Sequence, residues 1–99
     1  METLSEALRR LSVAGYADDF RAESGGLRSR SRQTVHPPEA FRVDEIVRFE
    51  GESDPDEESA VFALTLPADG TRGTYTVTYG PMMDPLDAEM VGRFRTSAA

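Results

Sequence analysis

Six carboxylates fall within the nine positions from Glu50 to Glu58, and the run opens on Arg48-Phe49-Glu50-Gly51. Hard divalent cations are bound by oxygen, so Glu50, Asp54 and Asp56 are candidate ligands for Mg²⁺ or Ca²⁺. On a strand, Arg48 shares a face with Glu50 two residues on, and its guanidinium suits an ion pair or a bound anion. Arg48, Glu50, Asp54 and Asp56 therefore form the candidate ligand-binding set. The spacing is not that of an EF-hand, because Pro55 separates the candidate ligands and no glycine follows to turn the loop. A solvated acidic bend between two strands, started by Asp54-Pro55, explains the same residues with fewer demands. Spacing alone thus assigns no metal ligand and no catalytic residue.

A second constellation is basic. Arg28, Arg30 and Arg32 alternate with serines ahead of Gln33, so a strand would point all three one way, with Arg21 joining them across a turn. Such a patch suits a phosphate or an acidic partner. A mobile hairpin arm is the plainer reading. No aromatic residue interleaves with these arginines, as a stacking platform for nucleic acid would require. His36 stands alone before Pro37-Pro38 with no serine nucleophile motif nearby, and the chain has no cysteine, so triad chemistry has no support. Gly25-Gly26 and Gly51 lack the spacing and the following Lys-Ser/Thr of a phosphate loop. Met82 and Met83 read as core fillers at the junction after Tyr79-Gly80.

The elements that must position these residues follow from patterning. Thr3 to Glu6 has the form of a capping box, and Leu4, Ala7, Leu8, Leu11 and Ala14 share a face, so a helix is expected over 4–14, ended by Gly15. Residues 16–23 and 27–30 read as a weak hairpin around Gly25-Gly26, with a short pairing at 33–36 before the prolines. Pro38 to Phe41 suits one helical turn, and 45–50 a strand with Val47 and Phe49 inward. Phe62, Leu64 and Leu66, then Tyr75, Val77 and Tyr79, alternate on the two arms of a hairpin. Thr74, Thr76 and Thr78 would occupy its solvent face. Asp84-Pro85 opens a helix over 85–95, with Asp84 as N-cap and Asp87 at N3. The expected fold is α+β in one domain over 1–99: two layers, an antiparallel sheet of about four strands, both helices on one face.

Charge and composition narrow the partners. There are 18 acidic residues against 11 basic ones, every basic one an arginine, for a net charge of -7. That balance repels nucleic-acid backbones and anionic membranes. The first residues carry acids and arginines where a signal peptide needs an apolar run, and no stretch is long and apolar enough to span a bilayer, so the expected compartment is the cytoplasm. A monomer or weak homodimer is expected, since pairing through the 27–30 edge would bring like charges together.

Phe41 to Glu45, Arg48 to Gly51 and Ser53 to Asp56 are jointly distinctive, and Tyr16 to Phe20, His36-Pro37, Val61 to Ala63 and Tyr79-Gly80 extend the pattern over most of the chain. In these residues the sequence resembles a family of small bacterial proteins often labelled phosphoribosylpyrophosphate synthetase. The resemblance implies an antiparallel sheet flanked by helices from the two ends of the chain. The residues themselves supply neither a phosphate loop nor a lysine. The leading expectation is therefore a non-catalytic binding or regulatory module that meets a protein partner or small ligand through its sheet face and acidic loop. The alternative is a metal-dependent enzyme or binding protein for a phosphorylated metabolite of phosphoribosyl or nucleotide type. In it Glu50, Asp54 and Asp56 would hold Mg²⁺ and Arg48 would meet the phosphate.

Overall fold

A computed structural model describes residues 2–50 and 58–98. The chain runs α1 (Leu4–Val13), β1 (Asp18–Glu23), β2 (Gly26–Ser29), β3 (Val35–His36), a 3-10 turn (Pro38–Ala40), β4 (Arg42–Glu50), β5 (Glu58–Leu66), β6 (Thr71–Tyr79) and α2 (Pro85–Ala98). The capping box forms as expected: the Glu6 N–H donates to Thr3 Oγ1 at 3.1 Å, and the Thr3 N–H to Glu6 Oε1 at 2.9 Å. Gly15, at φ 108°, turns the chain away from α1. No helix among the described residues is long and apolar enough to cross a membrane.

Among the described residues the strands form one sheet in the order β3-β2-β1-β6-β5-β4. The expected hairpins are present, β1 with β2 and β5 with β6. Three expectations need correction. The sheet has six strands instead of about four, β1 and β6 are parallel neighbours, and the two helices lie on opposite faces.

The reason lies in β5, which is apolar at both parities. Ala60, Phe62, Leu64 and Leu66 face one way, where Met90, Val91 and Phe94 of α2 cover them. Val61 and Ala63 face the other way, where Leu11 of α1 covers them with help from Leu8, Tyr16 and Phe49. A strand buried on both sides needs a layer on each. Thr74, expected in solvent, lies on the α1 side and is buried, whereas Thr76 and Thr78 are exposed. The α2 side holds the larger core. There Phe62 and Phe94 pack at 5.3 Å between ring centroids, and Phe20 meets Phe41 edge-on at 5.0 Å. Ion pairs tether both helices: Arg10 to Glu45 of β4 at 2.8 Å, and Arg93 to Glu39 of the 3-10 turn at 2.5 Å.

The parallel contact is short. Asp18 pairs with Gly73 and Asp19 with Thr74, and the ladder stops there. A Cβ on Gly73 would lie 2.7 Å from the Asp18 carbonyl carbon and closer still to its oxygen, so only glycine lets the strands meet. The sheet is thus two three-stranded antiparallel ribbons, β3-β2-β1 and β6-β5-β4, joined by a two-residue seam.

Candidate functional site

Past the seam the two ribbons part, each strand following its own antiparallel partner, and a cavity of about 370 Å³ opens between them. Neighbouring parallel strands whose onward connections diverge leave such a crevice at their carboxyl ends. Successive strand residues point to opposite faces. Asp19, Arg21 and Thr76 therefore reach the crevice from the α1 side, and Phe20, Ala22 and Tyr75 from the α2 side. The first turn of α2 closes it with Asp84, Leu86 and Asp87.

Each carboxylate in the crevice is held by a partner. The Leu86 N–H donates to Asp84 Oδ1 at 2.8 Å, the N-cap bond that the sequence predicts. Asp87, expected to serve the helix end at N3, instead accepts the Tyr75 hydroxyl through Oδ1. Burial, the bond to Asp87 and its charge all push the Tyr75 phenol above its ordinary pKa, which keeps it a proton donor. Asp19 Oδ2 lies 3.4 Å from Arg21 Nε. Three carboxylates and one guanidinium thus line the crevice, only Asp19 being paired with Arg21, and Asp84 and Asp87 each keep an oxygen with no partner among the described residues. No three acidic or histidine side chains among the described residues are close enough to hold a metal ion.

Asp18 anchors the seam from behind. Burial alone would raise its pKa, but the Ser29 hydroxyl and the Asp19 and Ser31 N–H groups donate to it and leave it below the ordinary range. These bonds fold residues 29–33 into a tight turn, with Gln33 at φ 56°. A second closed network sits at the β-bulge between Val43 and Glu45. Asp44 accepts from Arg42 at 2.6 Å, Thr65 at 2.5 Å and Tyr16 at 2.9 Å. Burial raises this carboxyl, and the three donors outweigh it. Tyr16 also lies beneath the Arg72 guanidinium, 4.2 Å from ring centre to Cζ.

Of the residues singled out from the sequence, Arg48 and Glu50 lie elsewhere, on β4. Arg48 is exposed on β4, two strands from β6, opposite Ala60. It forms the rim of a small apolar pocket of about 90 Å³ between β4 and α2, walled by Ile46, Tyr79 and Phe94. Glu50 ends β4 opposite Glu58. Asp54 and Asp56 lie outside the described residues.

The basic constellation is split. Arg21 and Arg28 are register partners and, with Arg30 and Gln33, rim a concavity of about 310 Å³. Arg28 is engaged by Glu23 in two bonds of 2.6 and 2.8 Å, and Arg32 turns away to Asp69 at 3.5 Å because β2 ends at Ser29. His36 packs its ring edge-on to Phe41.

Asp19, Asp84 and Asp87 were not legible as a set. Two of them read as helix-start residues, and the third is brought to them by a parallel contact that no local pattern announces. No family model matches this chain, no curated protein matches its sequence, and no solved structure matches its fold.

Proposed function

We propose that this chain is a non-catalytic binding module whose ligand, carrying a cationic group, sits in the crevice between β1 and β6. One observation carries the reading: the crevice gathers three carboxylates, two of them fixed by a hydrogen bond through one oxygen with the other left over. Such acceptors recognise an ammonium or guanidinium group without first having to be ordered. Phe20, Ala22 and Leu86 supply apolar contact beside them. The Tyr75 hydroxyl is committed to Asp87 as a donor, so it orients a carboxylate instead of attacking a substrate. The metal-dependent alternative has no observation in its favour, since its Asp54 and Asp56 lie outside the described residues.

Titration of the isotope-labelled protein with 1,4-diaminobutane, followed by backbone amide resonances, tests the proposal. The resonances of residues 19–22, 75–76 and 84–87 should move together on one binding curve, and the diamine should be recovered unchanged. Asp84→Asn should weaken binding about fivefold, the loss of roughly 1 kcal/mol of charge interaction. Shifts confined to other residues, or chemical conversion of the probe, would refute the proposal.

A further inference from the structure

At Tyr75 and Thr76 the crevice meets a strand edge of β6 that runs on beyond it. From Tyr75 to Tyr79, β6 is bonded to β5 on one side and, among the described residues, to no strand on the other. No turn or loop backbone among the described residues bonds to it there. Main-chain N–H and C=O groups in such a cleft require partners. The outer edges of the sheet are blunted in the usual ways. β3 is two residues long, and β4 carries a bulge together with Arg42, Asp44, Glu45 and Arg48. The open edge of β6 has none of these devices. Its residues are Tyr75, Thr76, Val77, Thr78 and Tyr79, a run of strong strand formers with no charge and no proline.

Resting on the crevice as the binding site, we infer that β6 accepts an extended peptide as an added strand, and that the peptide carries lysine or arginine. Main-chain pairing with Tyr75–Tyr79 supplies affinity, and side chains of alternating orientation supply specificity. Peptide side chains beside Tyr75 and Val77 share their face, the one on which α2 packs. Asp84 and Asp87 stand at the start of that helix, each with an oxygen to spare. A basic side chain there gains two carboxylates, while an acidic one meets like charge.

The test uses the full chain and an acetylated, amidated heptapeptide of alternating valine and lysine. Its comparators replace lysine with glutamate, or methylate every peptide nitrogen. Amide exchange and resonance shifts report binding residue by residue. The lysine peptide should protect crevice-side amides within 75–79, and it should bind at least about tenfold more tightly than either comparator. Asp84→Asn and Asp87→Asn should each weaken it about fivefold, and both retain the acceptor oxygen that caps α2 or receives Tyr75, so both keep the fold.

Equal binding of the methylated peptide would overturn strand addition. So would diamine binding with no binding of the lysine peptide, although the crevice would stand as a cation site. Protection of 75–79 in the free protein that disappears on dilution would assign the edge to a second copy of this chain and overturn the peptide. No response at the crevice to either probe would remove both proposals.

Discussion

Replacing Gly73 with alanine sets a methyl carbon 2.7 Å from the Asp18 carbonyl carbon and closer to its oxygen, and both atoms are backbone. Neither can rotate away as a flexible side chain would, so the strands must separate. Overpacking of this kind costs about 1–3 kcal/mol, and losing the two-residue seam forfeits hydrogen bonds worth about 1 kcal/mol each. A destabilisation of about 3 kcal/mol is expected, a large share of the roughly 5–15 kcal/mol available to a domain. Urea unfolding followed by circular dichroism measures it, and Tm should fall by roughly 15 °C for a chain of this size. Amide exchange should show the loss concentrated at residues 18–19 and 73–74. Gly92 on α2 is the control: a Cβ there meets nothing within 4 Å, and Gly92→Ala should stabilise by up to about 1 kcal/mol through helix propensity. A Gly73→Ala variant within about 0.5 kcal/mol of the parent, the range of featureless surface changes, would refute the argument that glycine is required at the seam.

Three further outcomes follow from the same contacts. Tyr75→Phe keeps the buried ring and deletes the donor to Asp87, so it should cost about 1–2 kcal/mol in denaturant unfolding and weaken cation binding in the crevice. In acid, the depressed carboxyls of Asp18 and Asp44 contribute stability that is complete above the unfolded aspartate value of about 3.9 and is lost as pH falls through their lower folded values. Unfolding free energies measured from pH 5 downward should therefore decline, and Asp18→Asn or Asp44→Asn should flatten the decline. Leu11→Ala should cost about 2–4 kcal/mol and couple with Val61→Ala in a double-mutant cycle. It should add independently to Phe94→Ala, because α1 and α2 cover opposite faces of the sheet.

What the sequence disclosed was local. The capping box at Thr3 and Glu6, the glycine turn between β1 and β2, the alternation of Phe62 with Leu64 and Tyr75 with Val77, and the Asp84 cap all depend on neighbours within a few residues. The layer count was lost because Val61 and Ala63 are small, and their parity on β5 was outweighed by Phe62, Leu64 and Leu66. The seam was lost for a different reason. Asp18 and Gly73 are far apart in the chain, and a glycine inside a threonine-rich strand gives no hint of the backbone it must admit. The arginine patch misled in its turn, because it assumed that β2 continued through Arg32, whereas the Asp18 carboxylate folds the chain over at Ser29.

Orientation, as well as charge density, decides how well a group of carboxylates recognises a cation. A carboxylate free to rotate loses entropy when a ligand orders it, about 0.5–1.5 kcal/mol for each side chain. In the crevice part of that cost is met during folding, since the Leu86 N–H holds Asp84 and the Tyr75 hydroxyl holds Asp87. The buried ring of Tyr75 is locked in turn by edge-on packing against Phe94 at 6.0 Å. The orientation of Asp87 is therefore set by the core itself. Removing the Tyr75 hydroxyl should then lower cation affinity while leaving the net charge of the crevice unchanged, which separates orientation from simple attraction. Equal affinity in Tyr75→Phe and the parent would show that charge alone attracts the ligand.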